Sequence, residues 1–320
     1  MPVPAGPEAM TRPWDRVCIW GMGLIGGSVA AALRQAGAAR EILAVDALPD
    51  HLHQARELGL ADTILTPEAA TPQACDLHLL ALPVGACANV LARLAAPAAE
   101  GAIVTDTGST KGEVVELARR CLGAGFPRFV PGHPIAGAER SGPGASRADL
   151  FQNRAAILTP VAETDADALT RVADLWRQLG ARVQTMEPAN HDQVFAAVSH
   201  VPHAIAFAYV AMLAEAADTR DALSHAGSGF RDFSRIAAAS PEMWRDVCAS
   251  NRHHVAGLLA AFEERLAGLR RLLLEDDQEA LLALIHRSRN ARLSLPGEAG
   301  RALPRTGQRP AQTTNVQEMP

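Results

Sequence analysis

Lysine is almost missing from this sequence: of its 30 Lys and Arg residues all but Lys111 are arginine. Any chemistry that needs a lysine amine therefore falls on Lys111 or does not occur, although a lone survivor of an arginine bias can equally be chance. An excess of basic charge is missing too. The formal net charge is -5 with both signs spread along the chain, which offers no basic stripe to a phosphate backbone and excludes nucleic acid as an expected partner. Cysteine pairing is absent from the pattern: Cys18, Cys75, Cys87, Cys121 and Cys248 are odd in number and show neither C-x-x-C nor zinc-ligand spacing. We expect no metal, and a reducing, cytoplasmic setting. No run reaches the roughly 20 uninterrupted apolar residues of a membrane span, so no membrane partner is expected. The stretch from Val17 to Leu33, preceded by Arg12 and Arg16, imitates a secretory signal. Its four glycines suit a strand-turn-helix unit better.

What is present is apolar material in quantity, 48% of 320 residues, enough for two domains. Residues 1–13 read as a loose leader and 296–320, rich in Pro, Gly, Thr and Arg, as a disordered tail. Between them the first half alternates β-type runs with helical patterns: VCIW (17–20), EILAVD (41–46), DLHLLAL (76–82), AIVTD (102–106) and RAAILT (154–159). Alternation of this kind implies parallel strands with crossover helices. From Pro188 long helical stretches take over, and the segment from His191 to Ala217 is apolar nearly all round, as in a domain core or subunit interface. We therefore expect an α/β domain over 14–187 and an all-helical domain over 188–295.

The sequence GMGLIG, Gly21 to Gly26, follows a β run and opens a helical pattern, the context a dinucleotide-binding turn requires. Gly21 permits the tight turn, Gly23 lets backbone approach a pyrophosphate, and Gly26 lets helix pack on strand. The helix N-terminus then offers free N–H groups to the anion. Asp46 ends the second β run 20 residues after Gly26, where a carboxylate accepts from ribose hydroxyls and repels a 2′-phosphate. NAD is therefore the expected cofactor, on a Rossmann-type, mainly parallel sheet. Leu24 and Ile25 within the turn, and Leu82 and Pro83 after the third β run, are expected beside it.

Three further segments place polar residues where strands end or helices begin. In DTGSTKGEV (106–114), Ser109 and Lys111 would face the crevice beyond the strand ends. In PGHPIAGAERSG (131–142), His133 sits between glycine and proline on what reads as a rigid loop, and histidine suits proton transfer near neutrality. The third is split between HDQVFAAVSHVPH (191–203) and GSGFRDFSRIAAASPEMWRD (227–246). His200 and His203 have helical spacing but no third ligand for a metal. His51, His53, His78, His253, His254 and His286 read as surface or core residues. Lys111 opens a helix, an unfavourable place for a cation unless Asp106 or the cofactor partners it.

Together these segments resemble the prephenate/arogenate dehydrogenase family of tyrosine biosynthesis, from about Val17 to Asn251. The resemblance rests on the G-x-G-L-I-G-G-S turn, the D-x-x-S-x-K strand end, the G-H-P-x-A-G loop, the S-H-x-P-H helix and the G-F-R-D-x-[ST]-R-I-A…M-W-x-D segment. It implies an NAD-dependent oxidative decarboxylation of prephenate or arogenate, driven by aromatisation. His133 would be the general base and Ser109 would bridge it to the nicotinamide. Arg235 would hold a substrate carboxylate with its planar fork. His203, Glu139, Arg231 and Trp244 would line the same pocket, and the helical domain would form a homodimer.

Three alternatives share parts of this pattern. β-Hydroxyacid dehydrogenases depend on a lysine in the helical region, and none follows Lys111. An aminodeoxyprephenate dehydrogenase of a secondary pathway would carry the same motifs. A nucleotide-sensing protein without turnover would not need Ser109, His133 and Arg235 together. The chain ends soon after its helical region, so we expect no appended regulatory domain.

Overall fold

A computed structural model of the chain describes residues 14–70, 75–138, 140–216 and 220–295. The leader 1–13, the tail 296–320 and Glu139 lie outside the described residues. Two compact units divide at Leu259 and Ala260.

The first unit is built on six parallel strands: β1 (Trp14–Trp20), β2 (Ala39–Val45), β3 (Thr63–Leu65), β4 (Leu77–Leu80), β5 (Ile103–Asp106) and β6 (Phe129–Val130), in the order β3-β2-β1-β4-β5-β6. Period-2 alternation along β1 explains why both faces are covered. Val17 and Ile19 join a core with α1 (Leu24–Ala36) and α6 (Ala166–Gln178). Cys18 and Trp20 join another with α3 (Val84–Arg93) and α5 (Gly112–Leu122). Strands buried on both sides are the rule for parallel sheets. The shorter helices are α2 (Pro49–Glu57) and α4 (Ala95–Ala99).

Strand order reverses direction between β1 and β4, which leaves a crevice beyond their carboxyl ends. The short strands β3 and β6 carry too few residues to register as periodic runs.

The RAAILT run departs from the expected single parallel pattern. It forms β8 (Ala155–Leu158) of a separate sheet, between antiparallel β7 (Gly132–Pro134) and parallel β9 (Arg182–Thr185). His133 therefore lies on a strand, paired with Ile157, and not on a loop. The Gly and Pro flanks hid a strand only three residues long.

Helices follow: α7 (Pro188–Phe195), one π turn at Ala196–His200, α8 (Val201–Glu215), α9 (Ser228–Ser234), α10 (Pro241–Ser250) and α11 (Arg252–Leu274). The stretch Pro188–Glu215 is, by length and mean hydropathy alone, apolar enough to cross a membrane, although it holds no uninterrupted apolar run of that length. Its histidines and Asp192 interrupt the apolar sequence without ending the helix. Val194, Val198, Tyr209 and Met212 on it are exposed.

The second unit begins inside α11 at Ala260 and continues into α12 (Gln278–Leu293). Asp276, at φ +54, makes the turn, and Asp277 caps α12 by accepting from the Ala280 N–H at 3.0 Å. Leu273, Leu274, Leu282 and Ile285 are exposed along it.

Candidate active site

The glycine turn closes against the neighbouring strand. Gly21 has φ +94, and a methyl group there would come within 2.3 Å of the Ala81 carbonyl oxygen. A methyl on Gly26 would come within 1.9 Å of the Gly21 oxygen, while one on Gly23 would meet nothing within 4 Å. Gly23 caps α1 with no side-chain hydrogen bond, so the first N–H groups of that helix are left to an external anion. Leu82 packs over Gly21 and Pro83 caps α3.

Asp46 follows β2 and is buried. Its Oδ2 accepts from the Met22 N–H at 2.6 Å and its Oδ1 from the Leu48 N–H at 2.8 Å, which fixes the carboxylate beside the glycine turn. His51, read from the sequence as a surface or core residue, lies 3.2 Å from the same Oδ2.

Beyond β5, Asp106 organises the next layer. Its Oδ1 accepts from the Gly132 N–H at 3.0 Å and its Oδ2 from the Gly108 N–H at 2.8 Å and from the Lys111 ammonium. Lys111 is fully buried and its Nζ also donates to the Gly132 carbonyl at 2.7 Å. The one lysine thus joins the end of β5 to the strand that bears His133, which answers the puzzle of a cation opening a helix.

The α5 N-terminus has a second anion. Asp192 of α7 accepts from the Lys111 N–H and the Gly112 N–H, each at 2.8 Å; burial works to raise its carboxyl, but the His191 contact, followed by these two backbone bonds, holds it below the usual carboxylate range. Against it, His191 Nδ1 lies 2.8 Å from Asp192 Oδ1. His191 Nε2 lies 2.9 Å from His133 Nδ1. Burial, then the nearby His191 and Lys111, hold His133 well below its ordinary 6.5, and burial also lowers His191. Phe195 closes the pair, its ring centroid 4.9 Å from His133 and 4.4 Å from His191.

From there the histidines continue outward. Asn251 donates to the Asp192 carbonyl at 2.8 Å and lies 3.0 Å from His200 Nδ1. Burial takes His200 down to about 4, opposed in part by Asp192 and by the Ser109 carbonyl. The Trp244 ring lies 6.1 Å from His200 and is stacked on His203 at 3.7 Å. Burial lowers the His203 pKa, with Arg235 acting in the same direction. Arg235 and Arg231 are exposed, and Arg231 Nε donates to the Ala226 carbonyl at 3.2 Å.

The structure therefore gathers His133, His203, Trp244 and Arg235 into one connected neighbourhood through His191, His200 and Asn251. Ser109 is half-buried in the β5–α5 turn. Among the described residues, His133 bonds to His191 and not to Ser109. His191, Asp192 and Asn251 were not named from sequence. The adjacent His-Asp pair at the head of an apolar helix was the available signal. Pairing of β1 with β4 also brings Cys18, Cys75 and His78 together in the core, ligand atoms within 4.8 Å of one another, a trio that spacing along the chain did not suggest.

Comparison with known proteins points to one family. A family model described as prephenate dehydrogenase, nucleotide-binding domain, matches residues 29–185, and one described as prephenate dehydrogenase, dimerization domain, matches 187–287. The cyclohexadienyl dehydrogenase of Zymomonas mobilis is 34% identical over 284 residues, 88% of this chain and 96% of that protein. The prephenate dehydrogenase of Bacillus subtilis is 31% identical over 297 residues, 92% of this chain and 80% of that one. A crystal structure of prephenate dehydrogenase from A. aeolicus, in complex with hydroxyphenyl propionate and NAD+, matches with a TM-score of 0.82 at 35% identity, covering 88% of this chain and 99% of that one.

Proposed function

The chain belongs to the prephenate dehydrogenase family, and on that footing we propose that His133 is the general base of an oxidative decarboxylation. The enzyme oxidises prephenate or arogenate in tyrosine biosynthesis and uses NAD. The turn at Gly21 to Gly26 with Asp46 suits that cofactor: the glycines leave no Cβ between backbone and pyrophosphate, and the fixed carboxylate suits two ribose hydroxyls. Leu24, Ile25, Leu82 and Pro83 would flank it. NAD, when bound, supplies the hydride acceptor.

The observation that carries the reading is a half-buried histidine, held neutral by desolvation and by the neighbouring His191 and Lys111, on the strand tied to the end of β5. A histidine protonated at neutral pH could not take the hydroxyl proton from the carbinol. One held neutral can. His133 withdraws that proton while the carbon beside it is oxidised. The ring carboxylate then leaves as carbon dioxide, and its bonding electron pair completes the aromatic ring. The phenolic oxygen keeps or recovers the proton, so none is consumed overall.

Arg235 and Arg231 provide the cations for the substrate's carboxylates, and the His203–Trp244 stack provides a flat wall for its ring. Ser109, in the turn after β5, would meet the nicotinamide, and Glu139 belongs to the same segment of sequence as His133. The boundary between cofactor and helical parts is proposed near residue 187. The exposed Val194, Val198, Tyr209 and Met212 support a homodimer through the helices, and five unpaired cysteines fit the cytoplasm.

The test is to mix purified protein with NAD and either prephenate or arogenate and follow NADH absorbance. The ratio of kcat/KM for the two identifies the natural substrate. No NADH from either would sink the reading.

A further inference from the structure

We propose that Asp192 and His191 are positioning residues that fix the tautomer of His133, leaving its Nε2 bare to receive the substrate's proton. The inference rests on the assignment of His133 as base and extends it to two residues outside the pocket.

A chain of hydrogen bonds from α5 to His133 admits one arrangement of protons. Asp192 is ionised, since it accepts from the Lys111 and Gly112 N–H groups at the head of α5, and an ionised carboxylate only accepts. The proton in the 2.8 Å contact between Asp192 Oδ1 and His191 Nδ1 must therefore sit on Nδ1. Burial keeps His191 neutral, so its other nitrogen, Nε2, holds a lone pair and accepts. The partner of that lone pair is His133 Nδ1, at 2.9 Å. His133 must then carry its own proton on Nδ1, and being neutral it has none on Nε2.

A free imidazole could present either nitrogen. Here the choice is imposed from the N-terminus of α5, where the carboxylate is anchored by backbone and cannot rotate. As His133 takes up a proton at Nε2, the positive charge that develops is spread through His191 toward Asp192, where the anion stabilises it.

The tautomer is read directly by NMR on the full-length protein labelled with 15N at histidine. The His133 resonances are those missing in His133→Asn. Wild-type protein near pH 8 is expected to show His133 protonated on Nδ1 and bare at Nε2. In His191→Phe, which keeps a ring but no acceptor, the proton moves to Nε2 and kcat falls about 10- to 100-fold, with NAD affinity unchanged. His191→Gln, whose amide oxygen still accepts, recovers part of the rate.

A wild-type His133 protonated on Nε2 would overturn the proposal, whatever the variants do. So would a His191→Phe protein that kept the Nδ1 proton and lost less than about threefold in kcat. The spectra need no substrate. Failure of NADH production in wild type would therefore strike the assigned reaction, while the tautomer would still decide the relay.

Discussion

Lys111 donates to the Gly132 carbonyl at 2.7 Å, and the residue after Gly132 is His133. The same ammonium meets Asp106, so a buried ion pair sets where the strand that bears His133 begins. Removing one partner of a buried pair leaves the other charge without compensation. Lys111→Met should therefore cost about 3–5 kcal/mol of stability, read as a lowered urea midpoint. Adding Asp106→Asn should recover part of the loss, because no bare charge then remains. A single variant with the wild-type midpoint would mean that the pair is dispensable.

The glycine turn separates fold from cofactor. At Gly26 an added methyl collides with the Gly21 carbonyl at 1.9 Å, but at Gly23 it meets nothing within 4 Å. Gly26→Ala should lower both melting temperature and NAD affinity. Gly23→Ala should leave melting nearly unchanged and weaken NAD by about tenfold or more, because the added carbon occupies the path of the pyrophosphate. Thermal melts beside titrations of NAD distinguish the two, and equal losses of stability would refute the distinction.

Acid should weaken the protein through its buried histidines. His200 is held down to about 4 and His133 well below 6.5, burial being the first cause for each. An unfolded histidine titrates near 6.5, so below that pH the unfolded state binds more protons than the folded one and stability falls. Their contribution should be full above pH 6.5 and, for His200, be lost progressively as pH falls toward 4. Urea unfolding from pH 8 to 4 measures the slope, and His200→Asn should flatten it. The acid limb of kcat/KM should likewise lie below pH 6.5, because His133 stays unprotonated there. A limb at or above 6.5 would show that burial does not govern the base.

The parallel sheet was legible because β1 and β2 run to seven residues each, because β4 and β5 are short but largely apolar runs set between helical patterns, and because the glycine turn punctuates the first of them. The strand bearing His133 was not. Gly132 and Pro134 look like loop residues until β8 pairs with them, a contact between segments more than 20 residues apart. The relay was hidden for a different reason. His191 and His200 stand about half a turn apart on an unbroken α-helix, which argues against one shared site. The π turn at Ala196–His200 widens the helix between them, and Asn251 reaches both Asp192 and His200. A local winding defect and a distant amide are tertiary facts that periodicity cannot carry. The lone lysine was conspicuous by composition and Asp106 was one of the two partners offered for it, but the choice of Asp106 over the cofactor, and the Gly132 carbonyl as second acceptor, required the sheet.

The two ends of the site should fail in different ways. As the proposed base, His133 would act on the reacting hydroxyl, so His133→Asn should lower kcat by about 100- to 10,000-fold and leave NAD affinity within about twofold. In the proposed role Arg235 would hold a carboxylate in ground state and transition state alike, so its loss would be a loss of uniform binding. Arg235→Gln should therefore raise KM by about 10- to 100-fold, the equivalent of one charge-assisted hydrogen bond, with a smaller effect on kcat. Arg235→Lys should restore only part of the affinity, because an ammonium cannot reproduce the planar fork. Steady-state kinetics with saturating NAD resolves the two parameters. If Arg235→Gln lowered kcat as far as His133→Asn while KM stayed unchanged, the guanidinium would be acting on the transition state alone and its proposed role would have to be withdrawn.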